Sequence, residues 1–551
     1  MNDHAVARKA RGAFFTPPEI ASFITEWALR APTDTVLEPS CGEAAFLRPA
    51  AEGLMRLGCA AANLHEHLHG LDIHGDSIRA ANELLRQNGG CATLEEGDFF
   101  AWTSDRTFDA VVGNPPYVRY QNFSGDARTR ALEAAFRQGV RLSQLASSWA
   151  AFTVHAAAFL KPEGRLGLVL PAELLSVKYA AQIRSYLLRR FRSVRLVLFE
   201  HLVFPGVLED VVLLLAEGSG GADNFEVFQV RDAQDLRSID AANWTGFKPN
   251  GEQKWTSALL PSEAAELFDL LRVDGCFEPM RDWGETYLGA VTGNNDYFTV
   301  SKSRASELGF TREDLVSISP PGSRHLRGIT FSKYAWDQHA QRGDRCYLFS
   351  PSMKPSSAAL KYIELGEKSN VHHAYKCKVR APWWQVPLVG VPDLLFTYMN
   401  HDRPRLIRNE ASSHILNSLY GVNLAIDRKK IGNALLPLAT LNSFTLLGAE
   451  IVGRAYGGGM LKHEPTEVAQ LPMPSFDALS ELSGRLELVK NQVAAKLRGS
   501  DISPAIDIVD RILLRDHLKL SEEKIQALRS ARQLLQQRRM TRGKGQNGKN
   551  R

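Results

Sequence analysis

At 551 residues the chain exceeds the length at which one hydrophobic core stops growing, so two or three domains are expected. Hydrophobic residues at 44% and charged residues at 23% give the composition of an ordinary soluble protein, and no apolar run approaches the ~20 residues of a membrane span. The net charge of +5 is compatible with nucleic acid without being diagnostic of it, and six scattered cysteines with no Cys-x-x-Cys pair fit reduced thiols rather than disulfides or a zinc cluster.

No signal-peptide apolar segment opens the chain, so a cytoplasmic location is expected, with no membrane partner. Residues 1–244 alternate short β-rich runs with helical patterns, which predicts a parallel α/β sheet wrapped by helices on both faces. Candidate strands are 35–37, 68–73, 93–96, 108–113, 164–170, 194–199 and 210–216. Ligands of such sheets bind at the carboxyl ends of the strands. After the first strand comes Glu38-Pro39-Ser40-Cys41-Gly42-Glu43-Ala44-Ala45-Phe46-Leu47, a tight turn that enters a helix. It lacks the Gly-Lys-Ser/Thr of a phosphate loop, and an acid at Glu38 suits an ammonium group. His65, His67 and His69 alternate just before the second strand, but without spaced cysteine or carboxylate partners no metal site is expected. The second strand ends in Asp72-Ile73, where a carboxylate can accept from both hydroxyls of a ribose. Asp98 and Phe99 follow the third strand, an acceptor for an adenine amine and a ring to cover it. Each element alone is equally well a turn or a helix cap. In order, they describe a pocket for an adenosine bearing an amino-acid tail, S-adenosyl-L-methionine.

The fourth strand, 108–113, runs directly into Asn114-Pro115-Pro116-Tyr117. An exocyclic amine conjugated to an aromatic ring is a poor nucleophile, because its lone pair is delocalised. The side-chain oxygen of Asn114 and the carbonyl of Pro115 are acceptors for such an amine, and the two prolines stiffen the backbone without adding an N–H. Tyr117 offers a ring for stacking. The set suits a planar amine extracted from a duplex.

These motifs, in this order, resemble the gamma-class N6-adenine DNA methyltransferases of type II restriction–modification systems, the Taq-type enzymes among them. Arg11-Gly12-Ala13-Phe14-Phe15-Thr16-Pro17-Pro18-Glu19-Ile20 is similar to the family's N-terminal motif, and Thr16 matches its cofactor-contacting threonine. The resemblance implies a Rossmann-like S-adenosylmethionine-dependent domain whose pocket is lined by Thr16, Glu38, Ser40, Cys41, Gly42, Asp72, Ile73, Asp98, Phe99 and Phe152. It makes Asn114, Pro115, Pro116 and Tyr117 the catalytic tetrapeptide, with Tyr117 and Phe204 on the two faces of the flipped base. For Phe152 and Phe204 plain core packing is the competing reading. One departure is visible: Ala44 stands where the family usually carries a second glycine, which the turn tolerates if its φ is negative.

From Pro249 onward the alternation fades, and residues 245–475 are read as a separate α+β domain. Three stretches, 287–295, 454–462 and 468–474, resemble features of the family's target-recognition domain. Lys376, Lys378, Arg380, Trp383 and Trp384, then Arg403, Arg405 and Arg408, place basic and aromatic residues together; phosphate contact is one reading and a solvated face the other. Residues 476–551 are read as a helical extension, from Leu482, Leu486 and Leu488 to Leu520, ending in a basic, glycine-rich disordered arm.

The resemblance implies N6-adenine methylation of double-stranded DNA, with a separate cognate endonuclease as partner. Protein glutamine methyltransferases share the tetrapeptide, RNA methyltransferases are a further alternative, a cytosine N4 target is chemically similar, and an inactive DNA-binding subunit is the non-enzymatic alternative. The Phe-Thr-Pro-Pro motif and the long C-terminal region favour the DNA enzyme, and intact Asn114, Tyr117, Asp72 and Asp98 argue against decay.

Overall fold

The computed structural model describes residues 16–200, 203–204, 211–239, 244–249 and 254–547. The stretch Arg11–Phe15 of the N-terminal motif, and the residues 201–202 and 205 that flank Phe204, lie outside them. The chain divides into two compact units, residues 1–259 with 544–551, and residues 260–543.

The first unit is built on one nine-stranded sheet. In chain order its elements are α1 (Pro18–Ala28), β1 (Val36–Glu38), α2 (Leu47–Leu57), β2 (Leu68–Asp72), α3 (Gly75–Gln87), β3 (Thr93–Glu96), β4 (Phe108–Gly113), α4 (Gly125–Arg137), α5 (Ser148–Ala158), β5 (Leu160–Pro171), α6 (Ala181–Arg190), β6 (Phe191–Phe199), β7 (Val211–Ser219), β8 (Phe225–Val230) and β9 (Thr245–Phe247). The strand order is β3-β2-β1-β4-β5-β7-β6-β8-β9. The first five of these run parallel, while β7 is antiparallel to both neighbours. Every expected strand is present. The sequence reading missed β8 and β9, which extend the far edge; there Phe225 stacks on Trp255 with ring centroids 4.1 Å apart. The first unit therefore runs past the expected boundary at 244.

Burial explains the order. Strands β4 and β5 are apolar along most of their length, with Val111, Val112, Leu166, Leu168 and Leu170 fully inaccessible, as central strands covered by helices must be. Helix α1 packs on this centre: an added Cβ at Gly167 of β5 would stand 2.5 Å from Ile24, so glycine there lets the helix approach. The chain order reverses between β1 and β4, the switch point at whose carboxyl ends sheets of this kind bind ligands.

The second unit holds four small sheets of two to four strands among helices. Its apolar pair Lys429–Ala439 and Ser443–Val452 is bent by 88°, and no single helix among the described residues is long and apolar enough to cross a membrane. Helices Phe476–Lys496 and Ser503–Asp510, and helix Glu522–Asn547 as far as residue 543, belong to this unit rather than forming a separate extension. The basic stretch from Arg538 continues as helix to Asn547, where a disordered arm was expected. At its start Arg538 and Arg539 are buried, and Arg539 pairs with Glu450 at 2.8 Å, each side chain 3% exposed.

Candidate active site

Helix α2 starts where it does because Glu38 caps it. The carboxylate, 1% exposed, accepts from Phe46 N at 3.2 Å and Leu47 N at 2.9 Å. Burial raises its pKa, partly offset by those two N–H groups, with the neighbouring Asp72 raising it further. Cys41 donates its main-chain N–H to Leu71 O and its thiol is pushed up by burial, then by Glu38 and Asp72. Gly42 has φ of +52°, and a Cβ built there would meet nothing within 4 Å, so the turn faces open space. Ala44 has φ of +63°, against the expectation of a negative value.

The Asp72 carboxylate spans the turn, accepting from Gly42 N and from His74 N, each at 2.9 Å. Beside it Ile73 is 60% exposed, an apolar side chain left for a ligand or solvent. Asp98 accepts from Phe100 N at 3.0 Å and is ion-paired with Arg130 of α4 at 2.9 Å, a partner that sequence reading did not find. Phe99 and Phe152 meet at 4.8 Å between centroids, with His155 4.5 Å from Phe99 and donating to its carbonyl. Both phenylalanines are at most 5% exposed, so they form the inner wall of the region rather than its surface. Burial lowers the His155 pKa, favouring the neutral ring.

The tetrapeptide leaves the end of β4. Asn114 Nδ2 donates to Thr16 Oγ1 at 3.2 Å, and Ser40 Oγ donates to the Asn114 carbonyl at 3.4 Å. Residues from the N-terminal motif, the turn after β1 and the tetrapeptide thus meet at one point. Tyr117, 8% exposed, donates its hydroxyl to Val169 O at 2.9 Å. Ser148, the first residue of α5, donates its hydroxyl to Pro116 O and accepts Val118 N–H at 2.9 Å. Phe204 is 4% exposed within the same core.

In the second unit the two basic clusters differ. Lys376 and Lys378 are exposed, and Tyr375 beside them is 75% exposed. Arg380 instead donates to the carbonyls of Val291 and Thr292. Arg403 is 5% exposed, its pKa lowered to about 10 by burial, and Arg405 pairs with Asp402 at 2.9 Å. Trp383 donates to Glu367 at 3.2 Å, and Arg408 and Trp384 are only partly exposed. Most of the second cluster is therefore structural. Near the second strand, His65 and His69 each meet a backbone carbonyl, of Ala62 and Glu66, and among the described residues no group of three or more His, Cys, Asp or Glu side chains could hold a metal ion.

Residues 1–215 match the family model N-6 DNA Methylase, and residues 252–514 match the Type II methyltransferase M.Eco57I, C-terminal domain. Over 542 residues the chain is 22% identical to the Type II methyltransferase M.AccI of Acinetobacter calcoaceticus, covering 94% of this chain and 95% of that protein. It is 22% identical over 488 residues to the Type II methyltransferase M.XamI of Xanthomonas campestris pv. amaranthicola, covering 85% and 86%. The fold is similar to that of the Type IIL restriction-modification enzyme MmeI, solved in complex with DNA, with a TM-score of 0.52 and 11% identity over 92% of this chain and 73% of that one.

Proposed function

We infer that this chain, a relative of the DNA N6-methyltransferases of type II restriction–modification systems, methylates the N6 amine of an adenine flipped out of double-stranded DNA. The observation that carries the reading is the junction at Asn114, whose side chain meets Thr16 and whose carbonyl meets Ser40, so that the amine-binding tetrapeptide adjoins the turn after β1. The pocket fits S-adenosylmethionine: Gly42 leaves open space above the turn, Ile73 presents an apolar side chain, and no Lys or Arg stands in the turn to receive a phosphate. When bound, that cofactor supplies a methyl group on a sulfonium, a strong donor that needs no metal.

The chain's own residues then act by positioning. Thr16, Gly42, Asp72 and Ile73 hold the cofactor. Asn114 Oδ1 and the Pro115 carbonyl accept from the two N6 hydrogens, which turns the nitrogen lone pair away from the ring. Tyr117 and Phe204 hold the base by its faces. The N6 proton leaves to solvent after transfer. The second unit supplies contacts to the duplex, with the exposed Lys376 and Lys378 as phosphate partners. In a host, the modification protects DNA from a separate cognate endonuclease.

Expression in a bacterial host lacking DNA methylation, followed by single-molecule sequencing of its genome, tests the reading. N6-methyladenine is expected at one short motif. Asn114→Ala is expected to lower transfer by at least ~100-fold, the scale of losing one preorganised polar contact at a reacting centre. Its cofactor affinity should stay near that of the parent. A folded, cofactor-binding protein that leaves the genome unmodified would move the substrate to protein or RNA.

A further inference from the structure

We infer that Ser148 is a positioning residue for the tetrapeptide, an inference that rests on the methyl-transfer reading above. The two prolines fix φ at 115 and 116 but leave ψ of Pro116 and both torsions of Tyr117 free to rotate. Those are the torsions that aim the tyrosine ring. The peptide groups that bound them end in Pro116 O and Val118 N, and both are held by the Ser148 hydroxyl, which donates to the carbonyl and accepts from the N–H at 2.9 Å. The Ser148 main-chain N–H adds a third bond, to Val118 O at 3.0 Å. At its other end the Tyr117 phenol is tied to Val169 O of β5 at 2.9 Å. The ring is therefore fixed at backbone and hydroxyl alike before any base arrives.

The ordinary role of a serine at a helix start is to cap its own helix. Here the hydroxyl reaches instead across 30 and 32 residues of sequence, and the residue preceding the helix, Ser147, makes no side-chain cap either. Ser148 is 2% exposed, so its removal would leave the Pro116 carbonyl and the Val118 N–H without their partner where water has little access. A loosened tyrosine still permits cofactor binding, since Ser148 bonds none of the residues that line the turn after β1. The loss should fall on capture of the flipped base and on the transfer step.

The test compares the purified full chain with Ser148→Ala on a duplex carrying the motif found by genome mapping. Single-turnover methylation is read beside the Kd for S-adenosylmethionine and the fluorescence of 2-aminopurine at the target position. Ser148→Ala is expected to slow transfer at least tenfold and to lower the 2-aminopurine signal, with the cofactor Kd within twofold of the parent. Ser148→Cys, which keeps the volume and a weak donor and acceptor, should lie between the two. It carries the same comparison if the alanine variant does not fold. Transfer within twofold of the parent overturns the proposal, as does an equal loss of transfer and cofactor affinity, the mark of a merely structural serine. A parent protein that methylates no DNA would overturn the underlying reading instead.

Discussion

Ala44 carries a left-handed backbone, φ +63°, in a turn where only glycine adopts that conformation without a Cβ penalty. Its side chain is fully buried, so the methyl also gains some contact. The balance favours glycine: Ala44→Gly is expected to stabilise the first unit by about 0.5–1 kcal/mol, a rise of ~2 °C in its thermal midpoint by calorimetry. A fall in the midpoint would mean that the methyl contact outweighs the strain. Asp98 makes a related point. The sequence marks it as an acceptor at a strand end, but one of its oxygens is already engaged by Arg130, which lies 32 residues away and belongs to no motif. Only proximity in space could have found that arginine.

At the scale of elements, the helix Glu522–Asn547 buries Ile525, Leu528 and Ala531 and also sets two of its arginines, Arg529 and Arg539, against buried carboxylates. Asp510 accepts from Ser443 N at 2.7 Å and from Arg529 at 2.7 Å, and Arg539 holds Glu450 while donating to the carbonyls of His401 and Gly459. A buried ion pair adds little relative to an apolar pair, but breaking one leaves a buried charge unmet. Arg539→Ala should therefore destabilise the second unit by about 3–5 kcal/mol in urea unfolding, and Arg539→Met with Glu450→Leu by much less. Equal losses in both variants would show that packing, and not the orphaned carboxylate, is at stake. This helix also explains why composition misled: arginines and glycines at 538–545 read as a solvated arm, and long-range acceptors made part of it a buried segment.

For the whole molecule, one continuous core from Ile20 to Ala258 serves the first unit, and every candidate cofactor residue lies within that span or at Thr16 just before it. A chain ending at Leu259 is expected to fold and to bind S-adenosylmethionine with an affinity within several-fold of the full chain by calorimetric titration, while losing specific DNA binding. Failure to fold would mean that the second unit or the C-terminal residues complete the first.

The sequence alone determined the sheet's strands from β1 to β7, most of them because buried strands are written as short apolar runs between helical periods, while β3 is a mostly exposed edge strand. It determined the order of the motifs from the turn after β1 to the tetrapeptide, since Glu38, Asp72, Asp98 and Asn114 each stand at or just after a strand's carboxyl end and a strand's end is visible locally. The edge strands β8 and β9 were not legible: Phe225–Val230 is only partly buried and gains its place from pairing with β6. What only the tertiary structure decided is which partner each polar group takes. Glu38 caps a helix, Ser148 holds Pro116 and Val118, and Arg403 is buried rather than solvated. Side-chain chemistry fixes what a residue can bond to, but the bond formed depends on which distant backbone the fold brings within 3 Å, and that information lies in no window of sequence.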